Sequence, residues 1–478
     1  MVNQTSRRLG SVIQRLERAI RRFVPPGALL IATLTFASYA MGLLRDRVFA
    51  RTFGASSELD AYNAAFVLPE LLLDVLVASG LTAPFVPIYA RLFRDDRARA
   101  DAFGRTVLTV ATAVMAVTSA VLFVVAPATT PLIAPGFSGR QAEQYVDLFR
   151  LMCATPILFA ASIALGELLI ARRRFLWYAL APVLYNAGIV VGTVALADRL
   201  GIFAAAVGAV LGAVAHLAIR VVGIARTDIR IRPQLAVRTP AFFEFLRLMA
   251  PKMAAQPVEP LIFLFFTQLA TRLGEGAVSS VSFARNFQSV PVVLIGAAFS
   301  LAVFPSLSAI AATGDRAAFS RILRNNLVAV VALTTIAAIG LIVVGELAIG
   351  ILLGGGAFDA ADIARTGALL AVFAISVPFD ALAHPLARAC YATRNTIWPV
   401  LGSLLALGVS VAGTSLLVPA LGLLAIPAGF TLGAAAKAAL LGVAIVPRVR
   451  GLRPAPPEPA STDDEHASGD AGPPRPGG

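Results

Sequence analysis

About twelve apolar runs, each long enough to cross a bilayer, constrain this chain more than any other feature. They fall roughly at 28–48, 62–90, 105–132, 146–171, 175–197, 201–222, 246–271, 277–310, 326–353, 363–391, 396–418 and 420–446. A backbone crossing lipid must satisfy its own polar groups, so runs of this length predict helices. With 58% hydrophobic residues, 14% charged residues and a mean hydropathy of +0.80, the expected fold class is an all-α polytopic membrane protein.

The charges between the runs predict the topology. Arg91, Arg94, Arg97, Arg99 and Arg105 follow the second run, and Arg172, Arg173 and Arg174 the fourth. Arg220, Arg226, Arg230, Arg232 and Arg238 follow the sixth. Arg316, Arg321 and Arg324 follow the eighth, Arg388 and Arg394 mark the tenth, and Arg448, Arg450 and Arg453 follow the twelfth. Every even-numbered exit is basic, which places both termini in the cytoplasm of a multi-pass inner-membrane protein. The net charge of +13 is therefore a topology signal, and nucleic acid is not an expected partner. Arg45, Arg47 and Arg51 break the pattern by lying near the outer face, and an exception to so regular a rule needs a local cause.

An internal repeat divides the chain. Phe85-Val86-Pro87 matches Val303-Phe304-Pro305, Pro182 matches Pro399, and Leu200-Gly201 matches Leu421-Gly422, each about 220 residues apart. Two six-helix bundles of the same topology follow, related by an axis along the membrane normal, with substrate held between them. The expected organisation is a cytoplasmic amphipathic segment at 1–27, a bundle at 28–225, a linker at 226–240, a second bundle at 241–447 and a disordered cytoplasmic tail at 448–478.

Catalytic and metal chemistry find no pattern here. Cys153 and Cys390 lie in apolar runs and read as small buried hydrophobes. His216, His384 and His466 are scattered without ligand spacing, so neither an enzyme nor a cofactor is expected. Ionisable residues inside the runs are few: Glu70, Asp74, Glu167, Lys252, Glu259, Arg285, Asp380, His384, Arg388 and Lys437. Lys252 and Arg388 sit where they can snorkel. Arg285 lies about 12 Å inside its run at 1.5 Å per residue, too deep to snorkel easily. With Arg45 it predicts a cationic cavity for a large anionic group, since a guanidinium fork grips phosphate oxygens in pairs and keeps its proton. Asp46 and Asp60 are candidates to orient or balance these arginines, with a plain helix-end role open for Asp60. Pro69, Pro84, Pro87, Pro251, Pro291, Pro305 and Pro378 interrupt the runs and predict bends.

Two blocks resemble a known family. Gly42-Leu43-Leu44-Arg45-Asp46, Phe53-Gly54-Ala55, Asp60-Ala61-Tyr62, Phe66-Val67-Leu68-Pro69 and Phe85-Val86-Pro87 form one. Phe283-Ala284-Arg285-Asn286-Phe287, Pro291 and Phe304-Pro305-Ser306-Leu307-Ser308 form the other. Both are similar to the lipid II flippases of the MurJ/MviN type, in the multidrug/oligosaccharidyl-lipid/polysaccharide exporter superfamily. The resemblance implies movement of a polyprenyl-pyrophosphate-linked cell-wall precursor from the inner to the outer leaflet, for peptidoglycan synthesis. Its partners would be that anionic precursor, membrane lipids and cell-wall synthesis proteins. Arg45 and Arg285 match two of the family's cavity arginines. Arg47, Arg51, Asp74 and Gln288 join Asp46 and Asp60 as candidate substrate-binding residues. Other family positions differ: Tyr39 and Leu73-Asp74 stand where the family has arginines, Ala78-Ser79 replaces Glu-Gly, and Gln288 replaces an acid. Fourteen spans are usual in the family. Two other functions stay open at this point: a drug or cation antiporter using Glu70, Asp74, Glu259 and Asp380, and a non-transporting scaffold for cell-wall machinery.

Overall fold

The computed structural model describes residues 26–255 and 258–452. The amphipathic segment expected before Pro26 and nearly all of the tail expected after Pro447 lie outside the described residues, as does the side chain of Lys252. The described residues form helices and their connections. In order these are α1 (Pro26–Phe53), α2 (Ser57–Leu73), α3 (Ser79–Asp95), α4 (Arg97–Ile133), α5 (Gly139–Met152), α6 (Ala154–Ala171), α7 (Phe175–Leu200), α8 (Phe203–Ala225), α9 (Pro240–Ala255), α10 (Val258–Ala270), α11 (Ala277–Pro291), α12 (Ala298–Thr313), α13 (Arg316–Leu352), α14 (Ala360–Ala392), α15 (Ile397–Leu421) and α16 (Ala425–Arg450). Among the described residues, nine helical stretches are long and apolar enough to cross a membrane, and one of them is the α15–α16 hairpin.

The sequence repeat is also a structural repeat. From α2 onward the starts of the elements recur with an offset of 218 to 222 residues, α5 and α6 together answering to the single helix α14. The helices α4 and α13 are each 37 residues long. Each is capped by an aspartate, Asp96 accepting from the Ala98 amide at 2.8 Å and Asp315 from the Ala318 amide at 2.9 Å. A π-helical turn joins α2 to α3 at Asp74–Ala78, and another joins α11 to α12 at Val292–Ala297. Prolines lie close by, at Pro69, Pro84, Pro291 and Pro305, so each bend combines a missing donor with a widened turn.

The α7–α8 and α15–α16 hairpins turn at Gly201 and Gly422, both with φ +54°, a conformation that a side chain would strain. Behind the first turn the two helices nearly touch backbone to backbone: a Cβ on Gly192 would lie 2.4 Å from the Gly208 Cα. Behind the second, Gly429 and Gly433 face Thr414 and Ser410 in the same way.

Large apolar side chains point away from the molecule on the long helices; Val124 is 75% exposed, Val343 76% and Leu416 80%. Such a surface suits lipid and would be unfavourable in water. A central core joins both repeats through Phe49, Tyr62, Tyr145, Phe266, Phe283, Phe373 and Phe430. A second core lies in the first repeat around Phe85, Tyr89, Phe103 and Leu168.

The two ends of the molecule differ. One carries the arginine-rich connections and is called the basic end below; the other, at Phe53, is the far end. The segment at 226–239 is tied to α4 at the basic end, where the Gln234 and Ala236 amides donate to Thr109 and Thr106 at 3.0 and 3.2 Å. Phe242 and Phe245 of α9 then bury themselves in the first-repeat core, and Glu244 pairs with Arg91. The opening helix of the second repeat thus begins its course packed on the first.

Candidate functional site

A cavity of about 520 Å³ lies between the repeats. From the first repeat it takes Arg45 and Asp46 on α1, Tyr62 and Glu70 on α2, and Asp74 at the π turn. From the second it takes Phe263 on α10 and Arg285 and Asn286 on α11. Arg45 lies eight residues before the end of α1 and Arg285 eight after the start of α11. Both are therefore about 12 Å from the far end, at matching depth.

Arg45 is firmly held. Its Nε and Nη2 donate to Asp46 Oδ1 at 3.1 and 2.8 Å, and its Nη1 to Asn186 Oδ1 at 3.2 Å. Asp46 is only 4% exposed, and its other oxygen accepts from Asn286 Nδ2 at 2.8 Å. One carboxylate thus links the first arginine to the neighbour of the second. Arg285 has looser company. Its guanidinium carbon lies 3.2 Å from the Phe263 ring centroid, and its Nη2 is 3.4 Å from Glu259 Oε1. A cation on an aromatic face keeps its in-plane donors free, so this fork can still take an oxyanion.

The remaining expected site residues separate into groups. Asp74 lines the cavity and also an adjoining one of about 460 Å³ that holds Glu70, Glu259 and Arg285. Gln288 lies off the cavity wall, donating to Ser376 Oγ at 3.1 Å and approaching Asp380 Oδ2 at 3.4 Å. Asp60 is at the far end, where its Oδ1 accepts from the Ser279 amide at 2.7 Å and the Ser279 hydroxyl at 2.6 Å. It caps α11 across the repeat boundary, the helix-end role left open above.

Arg47 and Arg51 cap the other way. Arg47 Nη1 donates to the Ile351 and Leu352 carbonyls at 3.0 and 2.9 Å, and Arg51 donates to the Gly354 carbonyl at 3.1 and 2.9 Å. Two cations at the carbonyl end of α13 complement its dipole. That supplies a local cause for Arg47 and Arg51 in the exception to the charge pattern, while Arg45 is held by Asp46 and Asn186. Ala55–Asp362, Ser57–Glu275 and Gly136–Thr271 hydrogen bonds complete a seal across the far end.

Asn186 and Phe263 matter for their contacts and carried no sequence signal, whereas Asn286 stands beside Arg285 in the second family block. Arg220 corrects an expectation. It is not a connecting-segment charge but a buried residue inside α8, 5% exposed. The sixth apolar run continues past it, and a count of loop charges cannot separate a helical arginine from its neighbours.

A helical membrane body, a two-fold repeat and a polar cavity between the repeats define a transporter rather than an enzyme. The fold is similar to that of a solved "Lipid II flippase MurJ, inward closed conformation", with a TM-score of 0.76, 21% identity, and coverage of 88% of this chain and 89% of that one. It is also similar to an inward-facing multidrug resistance MATE family transporter of the MOP superfamily, with a TM-score of 0.72, 14% identity, and coverage of 87% and 94%. A curated relative, the lipid II flippase MurJ of Burkholderia cenocepacia, is 28% identical over 440 residues, covering 89% of this chain and 84% of its own. The family described as "Lipid II flippase MurJ" matches residues 49–455. The chain belongs to the lipid II flippase MurJ family.

Proposed function

We propose that this protein is the flippase that carries lipid II, a polyprenyl-pyrophosphate-linked precursor, across the bacterial inner membrane for peptidoglycan synthesis. The observation that carries this reading is the pair of guanidiniums at matching depth on one cavity, one from each repeat. A pyrophosphate has two anionic centres, so each arginine can hold one. Asp46 balances Arg45 while the site is empty, and Glu70 and Asp74 bring the lining to three carboxyls against two guanidiniums. Arg47, Arg51 and Asp60 serve the closure of the far end, and Gln288 fixes α11 to α14.

In this reading the repeats are two bundles of six spans each, with α9 and α10 counting as one crossing. The basic end is cytoplasmic, and both termini lie on that side. The far-end seal then makes this a state closed to the outside. Transport follows when the bundles rock, breaking the seal and closing the basic end through α3 and α9. A second cavity of about 530 Å³, lined by α1 from Ile31 to Asp46 and by Val293 and Leu294, extends from the site toward the exposed faces of Phe36 and Tyr39. It gives a polyprenyl tail a route to remain in lipid while the headgroup crosses. A drug or cation antiporter would need a cavity dominated by carboxylates, and Glu70, Asp74 and Glu259 do border the one between the repeats; the family match is what favours the flippase over it.

Depletion and rescue tests the function. In a strain depleted of its own lipid II flippase, this chain should restore growth and clear lipid II from the inner leaflet. Continued accumulation with the protein present in the membrane would contradict it.

A further inference from the structure

Arg220 has no place in the transport site as described, yet a guanidinium buried in a spanning helix is costly enough to need a reason. Its setting is built around it. Nη1 donates to the Ser162 carbonyl at 2.6 Å, and the guanidinium carbon lies 4.9 Å from the Tyr178 ring centroid. Gly166 makes room, since a Cβ there would come within 2.5 Å of Nη1. Glu167, also buried, sits within its field and offsets part of the charge. His216, one turn earlier, is 2.8 Å from the Ser162 hydroxyl. The Nε of Arg220 has no hydrogen-bond partner.

This arginine faces the second cavity, the one that also reaches Arg45. The cavity follows α1 from Ile31 to Asp46, about 22 Å along the helix axis. Arg220 packs on Tyr178 near the start of α7, whereas Arg45 bonds Asn186 eight residues further along the same helix. The two cations are therefore about 12 Å apart along the membrane normal, Arg220 nearer the basic end. One apolar-walled channel thus carries a cation near the basic-end leaflet and a second at the central site.

We propose that Arg220 is an entry subsite for the lipid-linked phosphate group, which contacts it on leaving the basic-end leaflet and is then passed along α1 to Arg45. The proposal rests on the flippase reading above. Passage in two steps means that the headgroup never lies unpaired in the low-dielectric channel. Removing Arg220 should raise the substrate concentration needed for transport and leave the later steps intact.

The test uses full-length protein in phosphatidylcholine vesicles and a fluorescent polyprenyl pyrophosphate as probe. Arg220→Gln is expected to raise KM about fivefold to tenfold with kcat within twofold of wild type, while Arg285→Ala loses transport. An unchanged KM in Arg220→Gln beside an inactive Arg285→Ala would overturn the entry subsite alone. Normal transport by both variants would overturn the flippase site and the subsite with it. Arg220→Lys guards against misfolding of the glutamine variant: it keeps the charge, loses the fork, and should raise KM about twofold to threefold at wild-type thermal stability. Wild-type KM in a stably folded lysine variant would also overturn the subsite. Bilayer phosphate is the competing ligand. If the effect of Arg220→Gln appears only when phosphatidylglycerol is added, Arg220 holds bulk lipid and the proposal fails; an effect of equal size in both lipids supports it.

Discussion

Arg45 and Arg285 occupy the same depth on opposite repeats, yet they are held in different ways. Arg45 makes three hydrogen bonds, two of them to a carboxylate that is almost fully buried. Arg285 lies on an aromatic ring with one long contact to an exposed glutamate, and its side chain is 35% exposed. The first arginine is part of the architecture; the second keeps its donors free. On the proposed reading, a phosphate must compete with Asp46 for the fork of Arg45, whereas Arg285 can receive it directly. The weaker hold is also the more available one, which is why charge count alone says little about which arginine binds first.

Substitutions can break this contrast. The largest effect is expected from Arg285→Ala, which should abolish complementation with little loss of thermal stability. Arg285→Lys should restore activity in part, because the charge survives without the planar fork. Arg45→Ala should differ in kind: it leaves Asp46 Oδ1 without its charged partner, so a stability loss of about 2 kcal/mol accompanies the loss of function, measured by thermal or denaturant unfolding. A stability loss of equal size in both alanine variants would erase the distinction. Asp46→Asn sharpens it. With its competitor neutralised, Arg45 should bind pyrophosphate lipid about threefold to tenfold more tightly and turnover should slow, read by binding and transport on the same preparation.

Smaller effects are expected away from the arginines. Ser279→Ala removes one of the two donors to Asp60, about 1 kcal/mol of far-end closure. Spin-label distances across the far end should then show roughly a fivefold rise in the open population. The least effect belongs to Glu244, half-exposed at the basic end. Its hydrogen bond to Arg91 holds its carboxyl below the usual glutamate range. A depressed pKa contributes above the unfolded value and is lost as pH falls through the folded one, so nothing should change near neutrality. Glu244→Gln should alter transport at pH 7 by less than twofold.

Much of the fold was legible because lipid imposes helices and the repeat imposes order. The match of Leu200-Gly201 with Leu421-Gly422 became two turns of the same conformation. Arg45 and Arg285 were legible as well, through their depth in apolar runs. Asp46 was legible as a partner of Arg45, but Asn186 was not, because it reaches Arg45 across 141 residues and no local pattern encodes such a contact. Arg47 and Arg51 looked like cavity residues by proximity to Arg45. Helical spacing turns them toward the end of α13 instead, three hundred residues away in the chain. Arg220 was hidden by its neighbours, since buried and solvated arginines look alike in a list of charges.

Direct binding of a polyprenyl pyrophosphate to the purified protein tests the paired-arginine site most plainly. Native mass spectrometry can compare wild type with Arg285→Ala, and pyrophosphate with the monophosphate of the same lipid. A charge-assisted contact is worth about 1.5–3 kcal/mol, so Arg285→Ala should weaken pyrophosphate binding by roughly tenfold to a hundredfold. The monophosphate should bind wild type more weakly and lose less on substitution, having one anionic centre for two arginines. Equal binding of the pyrophosphate lipid to wild type and Arg285→Ala would contradict a site made of two guanidiniums.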